Sequence, residues 1–161
     1  MKQGKGISAV NWITDEDTDR DTLLGRLPGV GAPYRALFDT LWQQTHIPPA
    51  VLELCRLRMA QLHRSSTDQQ QAAWPVDQRQ RQALRQWPDA RVFTEAERAC
   101  LAFTEIYAID ALSITDEQAQ AVVRHYGDAG LVALIQALGV FDGMQRLGLI
   151  WHTSLPEASH G

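Results

Sequence analysis

The stretch Ala50-Val51-Leu52-Glu53-Leu54-Cys55-Arg56-Leu57-Arg58-Met59-Ala60-Gln61-Leu62 decides the class of fold. Apolar residues occupy most of its girth rather than a single stripe, and a helix of that kind is normally the central one of a bundle. Pro48 and Pro49 separate it from an earlier helix. At about 100° per residue, Glu53, Arg56, Ala60 and His63 fall on one line and make its main polar strip. Arg58 and Gln61 lie to another side.

Working outward, the periodicity stays helical. Tyr34, Leu37, Phe38, Leu41 and Trp42 recur at i, i+3, i+4, i+7 and i+8, a helix with Pro33 in its first turn. A Gln-rich stretch from Asp68 to Ala73 leads through Trp74-Pro75 into a third helix carrying Val76, Ala83, Leu84 and Trp87. Its outer face holds Arg79, Arg81 and Arg85, which with Arg91 read as a solvated surface among glutamines. Thr94 with Glu97, and Thr115 with Gln118, have capping-box spacing and predict the starts of a fourth and a fifth helix. Behind them run Ala96, Cys100, Phe103, Tyr107 and then Ala119, Val122, Val123, Tyr126. Gly127 is suited to end the fifth helix in the left-handed conformation, and Asp128 to cap a sixth carrying Leu131, Leu134, Ile135, Leu138 and Phe141. No segment alternates with period two, so the class is all-α, a bundle of about six helices.

The 161 residues correspond to one domain with a real core, 45% hydrophobic and 21% charged. Residues 1–32 read as an N-terminal arm, 33–153 as the helical domain and 154–161 as a tail. Acidic residues crowd the arm from Asp15 to Asp21, and Leu23, Leu24 and Leu27 can dock its end on the body. A net charge of −4 argues against a nucleic-acid partner relying on a broad basic face. No apolar run approaches the roughly 18–20 residues of a membrane span and no signal-peptide core follows Met1, so a cytoplasmic protein without a membrane partner is expected. Two cysteines make neither a disulfide framework nor a zinc set, and His46, His125, His152 and His160 lack ligand spacing. No metal or cofactor is expected.

Chemistry concentrates at two places. The strip of Glu53, Arg56 and His63 is suited to move protons or grip an anion, or else is a surface ion pair with a solvated imidazole. Asp142 and Gln145 project into the stripe of Leu131, Ile135 and Leu138, where a carboxylate needs partners. They read either as a pocket wall or as interhelical or subunit-interface hydrogen bonds. Cys55 and Cys100 read as small core hydrophobes on different helices, with Cys55 the candidate for reactivity because Arg56 adjoins it.

Leu54-Cys55-Arg56-Leu57-Arg58-Met59-Ala60-Gln61-Leu62 resembles the signature helix of the carboxymuconolactone decarboxylase and alkylhydroperoxidase D-like superfamily. Phe93 to Ala99 and Ile114 to Glu117 agree with it, and the run from Asp142 to Gln145-Arg146-Leu147 falls where the family often has Asn-x-x-Asn-Arg. The resemblance spans Tyr34 to Leu149. It implies an alkylhydroperoxidase D-like bundle that assembles as a dimer, trimer or hexamer, with a small-molecule pocket near subunit contacts. In the peroxidase branch a Glu precedes a Cys-x-x-Cys pair and a His follows it. Carried over, Glu53 matches the Glu, while Ser65, Asp68 and Ala72 stand at the two Cys positions and the His. Peroxide reduction by a dithiol needs a thiolate and a resolving thiol, so that mechanism is not expected here.

Three functions follow as expectations. The first is a lyase on a small carboxylated substrate, with Glu53, His63 and Asp68 in acid–base roles and Arg56, Arg58 and Asp142 holding substrate. The second is a noncatalytic relative binding a small molecule or a partner. The third is residual peroxidase activity through Cys55.

Overall fold

The computed structural model describes residues 18–153. Among the described residues every regular element is helical: α1 (Arg20–Leu24), α2 (Gly31–Gln43), α3 (Pro49–Leu62), α4 (Ser66–Gln70), α5 (Gln78–Ala83), α6 (Glu95–Asp110) and α7 (Asp116–Trp151). The expected tail from 154 onward, and the start of the arm, lie outside the described residues.

The helix α3 is central because two separate apolar clusters claim opposite sides of it. On one side Leu52, Cys55 and Met59 join Phe38 and Leu41 of α2, Cys100 and Phe103 of α6, and Leu134, Leu138 and Phe141 of α7. On the other, Leu54 and Leu57 pack with Leu84, Trp87, Phe93 and Leu101. Each fully buried Leu or Phe contributes about 1.5–3 kcal/mol of transfer free energy, which explains why a helix with so little amphipathic character is stable here.

The two capping boxes form as the spacing predicts: Thr94 with Glu97 opens α6 and Thr115 with Gln118 opens α7. Where two helices were expected after Thr115, α7 is continuous in outline but broken at Gly127, whose φ of 70° and ψ of 179° are not helical. The third predicted helix is shorter than its pattern, α5 followed by a 3-10 turn at Leu84–Gln86. The Gln-rich stretch read as a connection contains α4. α7 is long and apolar enough to cross a membrane by length and composition alone, a test that the core helix of a bundle also passes. Its inward side carries the bundle core, with Leu134, Ala137, Leu138, Phe141 and Met144 buried. Ile135, placed on that side from the sequence, is 43% exposed. The described part of the arm packs on the body through Leu23 and Leu24, while Leu27 faces solvent.

The Gly127 conformation belongs to a region open to glycine alone. Gly127→Ala is expected to cost about 1–3 kcal/mol in urea unfolding, although a Cβ there would meet no neighbour.

Candidate functional site

The site region begins where α3 stops. His63 caps α3, and Arg64 then takes the left-handed conformation with φ 57°. The amide of Ser65 returns to Ala60 O at 3.0 Å and that of Arg64 to Gln61 O at 3.2 Å. This paired closure satisfies carbonyls at the helix end and normally uses glycine at the left-handed position. The sharp reversal makes Ser65 the N-cap of α4. Its hydroxyl accepts from the amide of Asp68 and donates to Asp68 Oδ2 at 2.5 Å.

Ser65 and Asp68 therefore stand inside a network of buried charges. Arg56 grips Glu53 with two donors, Nε to Oε2 at 2.7 Å and Nη2 to Oε1 at 2.8 Å. The amide of Ala73 donates to Glu53 Oε1 at 3.2 Å. Arg56 also donates to the carbonyls of Asp68 and Gln71, at 3.2 and 2.6 Å. Arg20 of α1 completes the set, donating to Asp68 Oδ1 at 2.6 Å and to Met144 O at 2.7 Å. Side chains of all four ions are at most 1% exposed. The Glu53–Arg56 pair is thus not the surface ion pair that i, i+3 spacing allows. It is a core element, with donors and acceptors committed to one another.

His63 and Asp142 meet at a second polar centre. His63 Nε2 lies 3.1 Å from Asp142 Oδ1, a close contact without hydrogen-bond alignment. The imidazole is nine-tenths buried, and neither ring nitrogen has a hydrogen-bond partner. Arg146 donates from Nε to the other oxygen of Asp142 at 2.8 Å. Burial holds the His63 pKa below the ordinary value, against the pull of the Asp142 charge; Arg146 adds to the lowering and Asp68 opposes it. Tyr107 of α6 stands beside this group. Its hydroxyl pKa is raised by burial first and by Asp142 second. Gln145 turns to the first centre instead and donates to Arg56 O at 2.9 Å, the interhelical alternative read from its position.

Arg58 joins neither centre. It pairs with Glu105 of α6 at 2.6 Å and donates to Gln61 Oε1, while Trp87 donates to the same Glu105 oxygen at 2.7 Å. A cavity of about 440 Å³ lies between α2 and α7, lined among others by Leu41, His46, Val132 and Gln136, and includes no residue of either centre. The cysteines are small core residues on different helices, as expected. Cys55 and Cys100, far apart in the chain, bring their thiols against each other, and the Cys100 pKa is raised by Cys55 first and by burial second. Tyr126 beside them is pushed up to about 12, chiefly by burial. Both thiols are fully buried in the core, whereas a reactive cysteine needs thiolate character and access.

Sequence reasoning missed two members. Arg20 sits in an acidic stretch without periodicity, and its partner is 48 residues away, so nothing local marks it. Tyr107 was read only as a core position of α6.

No family model matches the sequence, and no curated protein matches it. Solved structures do match. The protein is similar to a cysteine-to-alanine variant of the debrominase Bmp8 in complex with 2,3,4-tribromopyrrole, at a TM-score of 0.71 and 14% identity over 84% of this chain and 75% of that one. It is also similar to a protein of unknown function from Agrobacterium tumefaciens, described as a candidate AhpD antioxidant-defence protein, at a TM-score of 0.72 and 16% identity over 86% of this chain and 99% of that one. The fold is the AhpD-like helical bundle.

Two outcomes are expected from this geometry. Arg56→Met leaves Glu53 buried and uncompensated, and a loss of about 3–5 kcal/mol in urea unfolding is expected. His63 has a folded-state pKa below its unfolded value of about 6.5, so between those values the unfolded chain binds more protons. Its stabilising contribution is complete above pH 6.5 and is lost as pH falls through the lowered value. His63→Gln should flatten that part of a stability-against-pH curve.

Proposed function

We propose that the chain is a divergent member of the carboxymuconolactone decarboxylase and AhpD-like superfamily that works by acid–base chemistry on a small carboxylated molecule at His63 and Asp142. The observation that carries this reading is the imidazole itself: nine-tenths buried, 3.1 Å from a carboxylate, with both nitrogens lacking a hydrogen-bond partner. A base kept neutral by burial is ready to take a proton near neutral pH. Asp142 would orient the ring and stabilise the imidazolium once formed. Arg146, more than half exposed and tied to Asp142 through Nε, offers its remaining donors to a substrate carboxylate at the rim. Tyr107 is the neighbouring phenol, kept protonated by its raised pKa and so able to donate to developing negative charge.

In this reading Glu53, Arg56 and Asp68 are scaffold rather than acid, base or substrate ligand. Their hydrogen bonds are taken and no solvent reaches them. The likeness to a debrominase holding a bromopyrrole supports a small ring as the ligand. Val132, Ile135, Leu149 and Ile150, exposed on α7, support self-association.

The test is turnover of carboxylated lactones and related small acids. His63→Gln and Asp142→Asn should each lower it by about 10²–10⁴ with folding intact. Turnover that survives both substitutions but disappears in a folded Glu53→Gln variant would sink the assignment. If the acids raise the melting temperature without being turned over, and His63→Gln removes that rise, the protein is the binding relative rather than the lyase. Hydroperoxide with a dithiol reductant should not be consumed, because Ser65 and Asp68 provide no attacking or resolving sulfur.

A further inference from the structure

Arg20 is a fully buried arginine supplied by the shortest kind of element. α1 has five residues, far below the length at which a helix is stable by itself, so its hold depends on docking. Yet its guanidinium reaches a seat built by α4 and α7. Nη2 meets Asp68 Oδ1 and Nη1 meets Met144 O, at 2.6 and 2.7 Å. The opposite oxygen of Asp68 is pinned by Ser65 at 2.5 Å. The floor is Gly148, where a Cβ would stand 2.9 Å from Arg20 Cζ and 3.1 Å from Nε, too close for both to remain.

The charges in this region balance only with Arg20 present. Arg56 is committed to Glu53 by two hydrogen bonds and stands 3.9 Å from Asp68 Oδ1. Without Arg20, the nearest cation to Asp68 would be Arg56, 3.9 Å away and committed to Glu53, a state that favours any cation that fits. Two acceptors, among the described residues, facing a planar fork above a glycine floor suit a guanidinium better than the compact point charge of an ammonium.

We propose that this seat is a guanidinium-binding site, occupied here by the chain's own Arg20, with α1 as the strap that keeps it closed. It takes a small alkylguanidinium or amidinium cation when the strap is open. An element this short opens as one local unit, with Arg20, Leu23 and Leu24 leaving the body together. In the intact chain the affinity for such a cation is reduced by the fraction of molecules with the strap open. The site does not rest on the acid–base reading, since none of its contacts involves His63 or Asp142.

The test uses the full-length Arg20→Ala protein and methylguanidinium at low millimolar concentration, far below denaturing levels. Thermal unfolding and titration calorimetry are followed, with methylammonium and sodium chloride at equal ionic strength as controls. Methylguanidinium should raise the melting temperature of Arg20→Ala by several degrees while the controls do not. It should bind the wild-type chain at least roughly tenfold more weakly, because the seat is filled. Adding Asp68→Asn to Arg20→Ala should abolish the response. Should Arg20→Ala fail to fold, recovery of its unfolding transition on adding methylguanidinium is the same readout. A response no larger than that to sodium chloride, equal responses of wild type and variant, or no recovery of an unfolded variant overturns the proposal.

Discussion

Placing Asp68 under cover of α1 forces most of what surrounds it. A carboxylate taken out of water is tolerable only beside a cation with the remaining lone pairs filled. Arg20 and the Ser65 hydroxyl meet that demand, and the amide of Asp68 in turn donates to Ser65 Oγ. Because Arg20 also holds Met144 O, the same interaction ties α1 and α4 to α7. Arg56 then binds the Asp68 carbonyl and Gln71, so α3 is locked to the segment following α4. A pair of ions in a core this small is weak support for stability by itself. Its stronger effect is on geometry, since any other packing of these segments would strand a charge.

That network leaves no place for a dithiol at positions 65 and 68. Sulfurs at positions 65 and 68 would need access and a means of ionising. Oxygens at the same places can cap a helix and hold an arginine, and both uses require closure. The polar side chains left outside that network, His63 at the end of α3 and Asp142 of α7, meet 3.1 Å apart.

How much of this was legible depended on the reach of each interaction. The helices α2, α3, α6 and α7 follow from local periodicity and from two capping boxes, because those forces act within a few residues. Ser65-x-x-Asp68 carries the same kind of helix-start pattern, but only five helical residues follow it, too few for periodicity to show. Glu53 and Arg56 were legible as a pair and not as a buried one. A helical projection gives direction, and the cover comes from α4 and the segment to Ala73. His63 and Asp142 were each marked as unusual, but their meeting depends on how α7 turns after Gly127. The same rotation puts Ile135 outward and Gln145 inward.

The cysteines show why distance along a chain is a poor guide inside a bundle. Cys55 and Cys100 are both small, and small residues let α3 and α6 approach closely enough for the thiols to touch. Such contact favours a disulfide only if an oxidant can reach sulfur and a thiolate can form. Complete burial denies the first, and at Cys100 the neighbouring thiol together with desolvation suppresses the second. The pair therefore stays reduced, its state set by what surrounds it. In this bundle α3 carries the Glu53–Arg56 pair on one line and Cys55 on another, and burial silences the thiol while it locks the pair into the packing of the segments around it.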